Sequence, residues 1–188
     1  MGAICSTICK KSHYHEVPYV PVCDLGINDG DIRRLWSYNS TTAGGKYVFV
    51  TNNPVPEGGS AYVVEATGEA QGTTLPLTAI TFNLAQPIPK RFEMRFKKDN
   101  TWYAVNGSEY DLIASEITDT SFEVMELWSP NRPYYVLRSN KKVGDDDLFL
   151  SSDGAGKMQL KVWNNPVPGP PNTTSEVDPA LLFRVVRP

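Results

Sequence analysis

Three groups of side chains in this sequence are equipped for chemistry, and their spacing limits what each can do. The only histidines, His13 and His15, sit close to the amino terminus among the three cysteines, Cys5, Cys9 and Cys23. A Ser-His-Asp or Cys-His arrangement would need that terminal stretch docked into the rest of the chain. These five residues match no common structural zinc spacing, and a closed site needs four well-presented ligands. Asp145-Asp146-Asp147 is the main paired-carboxylate run. Adjacency in a loop is not the opposed geometry that glycoside hydrolysis requires, and a solvated hairpin turn explains it better than calcium binding. The sequence therefore predicts no catalytic residue, no metal site and no cofactor. It reads as a binding protein.

Two other patterns concern turns and rings. Asp153-Gly-Ala-Gly156 follows Phe149-Leu-Ser-Ser, where trefoil lectins and fascin-like actin binders carry a Gly-rich turn. A tight hairpin alone explains it, because glycine supplies positive φ without a Cβ clash. Gln159 and Trp163 do not form the ricin-type Gln-x-Trp pattern. Trp102, Trp128 and Trp163 fit either the core or an exposed platform. Asn39, Asn106 and Asn172 begin formal glycosylation triplets.

The amino terminus carries a separate signal. Met1-Gly-Ala-Ile-Cys-Ser6 fits the myristoylation pattern, with Gly2 as acceptor and Ser6 at the preferred position. Cys5 and Cys9 are placed for palmitoyl chains, and Lys10 and Lys11 for anionic lipid. One myristoyl chain binds a membrane only marginally, so a second signal gives the arrangement physical sense. The alternative is a tail in which the short pattern arose by chance. With an odd cysteine count and none beyond Cys23, a reducing compartment is expected. The expectation is a cytoplasmic protein with peripheral membrane attachment through its tail.

The elements that must position these residues are strands. The chain of 188 residues has 40% apolar residues and a net charge of -3, enough for one core and against a basic face for nucleic acid. No apolar run reaches the length of a membrane-spanning helix. Residues 1–28 read as a flexible tail, extended by the prolines of Val17-Pro-Tyr-Val-Pro-Val22 and ended by the Asn28-Asp-Gly turn. Residues 29–188 read as one domain of short strands between turn signals. The predicted strands are Ile32–Tyr38, Lys46–Thr51, Ala61–Ala66 and Ile80–Leu84, then Arg91–Phe96, Thr101–Val105, Asp111–Ser115 and Thr120–Leu127. The last set is Tyr134–Ser139, Leu148–Ser151, Met158–Val162 and Leu181–Val186. Phe92, Met94 and Phe96 share one face opposite Glu93 and Arg95.

Weak threefold similarity orders these strands. Lys46-Tyr-Val-Phe-Val, Arg91-Phe-Glu-Met-Arg-Phe and Pro133-Tyr-Tyr-Val-Leu-Arg each give a third its early aromatic strand. Phe82, Phe122 and Phe183 close the thirds and are expected in related positions. The Pro-rich insertion 164–178 accounts for the longer last interval. The fold class expected is all-β: a β-trefoil of twelve short strands in three pseudo-repeats.

The chain from Asp29 to Pro188 resembles the mycocypins, the mushroom β-trefoil inhibitors of cysteine proteases. The resemblance is carried by Asp29-Gly-Asp-Ile-Arg-Arg-Leu, Ala43-Gly-Gly-Lys-Tyr, Tyr134-Tyr-Val-Leu-Arg with Val143-Gly, and Phe183-Arg-Val-Val. It implies reversible inhibition of papain-like proteases through loops at one barrel end, with Gly44 and Gly45 as the double-glycine contact. It also implies a legumain-directed asparagine between the fifth and sixth strands, where Asn100 stands. The tail 1–28 and the length of the 164–179 insertion depart from the family. A flexible hairpin equally explains Gly44-Gly45, and Asp-Asn is an ordinary turn pair. The alternatives are a β-trefoil lectin that binds glycans and an actin-associated or structural module.

Overall fold

The computed structural model describes residues 26–39, 46–56, 60–69, 75–107, 111–127, 134–164 and 176–188. Among these residues the chain forms twelve β-strands and two short 3-10 turns, with no α-helix. The strands are β1 (Asp31–Ser37), β2 (Lys46–Pro54), β3 (Tyr62–Gly68), β4 (Ile80–Pro87), β5 (Lys90–Lys98) and β6 (Thr101–Gly107). They continue as β7 (Leu112–Ser115), β8 (Phe122–Leu127), β9 (Tyr134–Val143), β10 (Asp146–Ser152), β11 (Met158–Val162) and β12 (Phe183–Val186). Every strand expected from the β-rich runs between turn signals is present.

The ends differ where the pattern carries no apolar signal. β9 extends past Ser139 to Val143 because a polar ladder continues there, with Asp146 opposite Val143 and Asp147 opposite Lys142. Leu181 belongs to a 3-10 turn, Pro179–Leu181, rather than to β12. Its start is capped by Asp178, whose carboxylate accepts from the Ala180 N–H at 2.9 Å.

All twelve strands join one hydrogen-bonded sheet, and its antiparallel pairings repeat three times. β1 pairs with β12, β4 and β2; β5 with β4, β8 and β6; β9 with β8, β12 and β10. The pairings β1–β4–β5–β8–β9–β12–β1 therefore return to their starting strand. The other six strands are the hairpins β2–β3, β6–β7 and β10–β11. β3 joins these hairpins by pairing with β7 and bridging to Lys157 through Glu65.

The core lies inside this arrangement because alternate residues of each strand point one way. Phe82, Phe96, Phe122 and Phe183 are fully buried, and Phe92 and Met94 nearly so. Each buried ring of this size contributes about 1.5–3 kcal/mol relative to exposure. Phe82 and Phe92 meet edge to face with centroids 6.1 Å apart. Ile27, just before β1, is buried in the same cluster.

Register corrects one expectation. Phe122 pairs with Phe92 and Ser139, and Phe183 with Tyr135 and Ser37. The residue related to them by the repeating pairings is Ile80, opposite Arg33 and Phe96. Phe82 lies one inward position further along, opposite Met94, as Val124 is opposite Leu137 and Val185 opposite Leu35. The residue type does not fix register: Ile80 and Phe82 share a face, so either fits the core.

A second cluster covers the other side of the sheet. Trp36, Tyr47, Leu127, Tyr134, Val136 and Phe149 pack beneath the segment that carries Val177, Leu181 and Leu182. Arg184, also buried, lies over the Tyr134 ring at 4.3 Å.

Candidate functional site

The exposed chemistry of this fold sits on its hairpin tips, and β5–β6 is the best built of those described. Lys98 and Thr101 form the closing pair, leaving Asp99 and Asn100 as a two-residue loop. Their φ angles are 49° and 66°. A loop with two positive φ values has the twist that suits a hairpin, and Asp and Asn tolerate this conformation better than most residues. Asn100 is exposed at the tip.

Lys98 holds this tip down. It continues the inward face of Phe92, Met94 and Phe96, so its side chain is 8% exposed. The Nζ donates to Asn52 Oδ1 at 2.8 Å and to Asp99 Oδ2 at 3.1 Å. It also lies 4.7 Å from the Tyr62 ring centroid, and Tyr62 meets Tyr103 edge-on at 5.2 Å. The tip is thereby tied to the β2–β3 hairpin. On the outward face Lys97 lies 6.0 Å from the Trp102 ring, which is 41% exposed.

Gly44, Gly45, Gly2, Cys5 and Cys9 all fall outside the described residues. Of the three residues expected from the resemblance to contact a protease, Asn100 is the one the structure describes. Lys98 was not anticipated, although its signal was legible: it stands two residues beyond Phe96 on an alternating strand.

The carboxylate run and the Gly-rich turn have structural explanations. Asp147 is drawn back onto its own ladder, its two oxygens 3.2 Å from Arg138 Nη1 and 3.2 Å from Lys142 Nζ. Burial pushes its carboxyl up, but Lys142 and Arg138 outweigh that and hold it below the usual carboxylate range. Among the described residues no His, Cys, Asp and Glu cluster is arranged to hold a metal ion. Asp153 Oδ1 accepts from the N–H groups of Ala155 and Lys157, closing the turn on itself. Gly156 then approaches β3, where its carbonyl accepts from the Ala66 N–H at 2.8 Å.

Trp163 packs edge-on against Phe149 at 5.5 Å, and Trp128 lies outside the described residues. Asn106 is buried, and its amide donates to Ser115 Oγ and the Ile117 carbonyl. A glycan there would have to break this network, so the Asn106 triplet is not an acceptor in the folded chain.

One cleft of about 480 Å³ lies between the hairpins, its apolar lining including Val63, Leu112 and Ile113. At its edge Asp119 pairs with Lys141 at 2.7 Å, and Asp111 pairs with Lys157 at 3.2 Å. Burial pushes the Asp119 carboxyl up, yet hydrogen bonds from Lys141 and Thr120 leave it below the usual range. No local pattern marks this cleft in the sequence, because its lining comes from short stretches scattered between Val55 and Lys141.

No family model matches the chain, and no curated protein matches it either.

Proposed function

We propose that the chain is a β-trefoil that acts as a reversible, loop-mediated inhibitor of papain-like cysteine proteases and of legumain, without catalysis. The closed cycle of six paired strands with three flanking hairpins supports the trefoil, since a barrel so built leaves rigid hairpins standing from its ends. The observation that carries the function is the anchored β5–β6 tip. Asn100 is exposed on a turn whose two positive φ values and buried Lys98 fix its backbone. A tip fixed before binding loses little entropy on docking, so a small contact area can still bind tightly.

In this reading Asn100 addresses legumain and Gly44-Gly45 enters the papain cleft, where residues without a Cβ permit close approach. The test is steady-state inhibition of both proteases by the wild type, Asn100→Ala, Gly44→Arg and Gly45→Arg, with circular dichroism as the folding control. Asn100→Ala is expected to abolish only the legumain effect, and the arginine variants only the papain effect. Folded wild-type protein that inhibits neither at micromolar concentration sinks the proposal.

The cleft edged by Asp111, Asp119 and Lys141 favours a second reading, a glycan-binding lectin, because ordered carboxylates accept hydrogen bonds from sugar hydroxyls. A glycan array separates the two, and a hit abolished by Asp119→Ala would promote the lectin. The tail proposal, attachment to the cytoplasmic face of a membrane through Gly2, Cys5 and Cys9, is independent of both.

A further inference from the structure

The β4–β5 hairpin departs from the other described turns in its chemistry. Those turns are built from Asp, Asn and Gly with one Ala: Asp99-Asn100, Gly144-Asp145 and Asp153–Gly156. The β4–β5 turn is Ile88-Pro89, closed by the pair Pro87 and Lys90. Residues 84–90 are all exposed, and Ile88 is 84% exposed, the highest value among the large hydrophobic side chains described. From Leu84 to Pro89 there is no charged residue, and Gln86 is the only polar side chain. Isolated exposed apolar residues are ordinary; a continuous neutral, apolar tip on a projecting ribbon is not.

The tip is also held in place. Prolines at 87 and 89 fix their own φ, and Gln86 Nε2 donates to the Ile88 carbonyl at 2.7 Å. At the base, the Leu84 N–H donates to Asp29 Oδ1 at 2.7 Å, and Lys90 Nζ donates to the Ile27 carbonyl at 2.7 Å. Lys90 lies over the Phe92 ring at 5.1 Å and Arg91, opposite Gln86, pairs with Glu123 at 3.5 Å, so both cations at the hairpin base are turned back onto the domain. That leaves the tip without the free basic groups an anionic lipid surface would engage. A convex, neutral and preorganised aliphatic tip fits a concave apolar pocket.

We propose that this hairpin is a second protease-docking element, with the Ile88 side chain filling the apolar specificity pocket of a target protease. The proposal rests on the inhibitor reading and extends it to a contact that neither Asn100 nor the glycine pair supplies. β5 connects the two tips: Ile88-Pro89 precedes its first residue, and Asp99-Asn100 follows its last. Its nine residues span roughly 30 Å at strand rise. Two proteases can therefore be held at once, one at each end. Pro89 gives the bond after Ile88 no N–H, so the tip fills the pocket without offering an ordinary amide for acyl transfer.

The experiment measures inhibition of papain, chymotrypsin and elastase, whose pockets accept apolar side chains of different size, by the wild type, Ile88→Asp and Ile88→Leu. Ile88 lies outside the core, so an unchanged urea midpoint is expected for both variants. For at least one protease, Ile88→Asp should weaken inhibition by about 10–100-fold, as for loss of one buried aliphatic side chain. Ile88→Leu should stay within about threefold of wild type, and mass spectrometry should find the hairpin uncut. Saturating legumain should leave that inhibition in place. Inhibition that falls with Gly44→Arg or Gly45→Arg but not with Ile88→Asp overturns the hairpin site and leaves the inhibitor reading standing. Inhibition of no protease overturns both. If Ile88→Asp instead abolishes concentration-dependent self-association in analytical ultracentrifugation and changes no protease, the partner is a second copy of the chain and the protease site is refuted.

Discussion

Gly156→Ala tests whether the β10–β11 turn is there to meet β3, and two neighbouring glycines calibrate it. Gly156 has φ +93°, and a Cβ added there would come within 2.5 Å of Thr67 Cγ2 and 2.9 Å of the Ala66 carbonyl oxygen. Thr67 could rotate away, but the Ala66 backbone cannot without losing the 2.8 Å bond that joins the turn to β3. A positive φ costs a non-glycine residue about 1–2 kcal/mol, and a lost hydrogen bond about another 1 kcal/mol. Alanine recovers about 0.4–1 kcal/mol by restricting the unfolded chain. The net destabilisation expected is about 2–3 kcal/mol with the clash included. Gly144 has φ +59° and nothing within 4 Å of an added Cβ, so Gly144→Ala should cost about 1 kcal/mol or less. Gly154 has neither constraint, and alanine there should be neutral or slightly stabilising. Urea melts of the three variants give the comparison. If Gly156→Ala falls within 0.5 kcal/mol (roughly, the spread of ordinary surface changes) of Gly144→Ala, the contact with β3 is not what the glycine serves.

Phe122→Ala should destabilise by about 3–5 kcal/mol, since the ring is fully buried beside Phe92; a loss below about 1 kcal/mol in urea melts would contradict that burial. Burial pushes the carboxyls of Asp119, Asp147 and Asp178 up, but their lysine and arginine partners and hydrogen bonds outweigh it and hold all three below the usual carboxylate range. Their contribution is therefore present above the unfolded carboxylate pKa of about 3.9 and disappears as pH falls through the folded values. The urea midpoint should drop below about pH 4, and Lys141→Ala should shrink that drop by removing the partner of Asp119; a midpoint rising on acidification would refute the assignment. Each effect is small, because Asp119 is exposed and Asp147 and Asp178 only half-buried, so solvent screens their pairs. For the tail, Gly2→Ala should release the protein from the membrane fraction of a eukaryotic cell, and an intact mass without an acyl adduct would end that idea.

Local sequence determined the strands. Phe92-Glu-Met-Arg-Phe96 alternates so strictly that its inward face follows from side-chain direction alone, and Asp99-Asn100 and Asp153–Gly156 declare their turns by residue type. The same rule carried to Lys98 would have identified the buried cation beneath the Asn100 tip; its charge hid it, because lysine is rarely placed in a core. What the sequence left open depends on residues far apart in the chain. Whether Ile80 or Phe82 stands level with Phe122 is decided by pairing β4 with both β1 and β5, and both candidates face inward. The need for glycine at 156 comes from Ala66, and the cleft edge from Asp111 and Asp119 on separate connections and Lys141 on β9. Ile88 reads in sequence as one more apolar residue between prolines. Only the tertiary structure decided that it projects from the domain, because its exposure is set by how far β4 and β5 run together past the core.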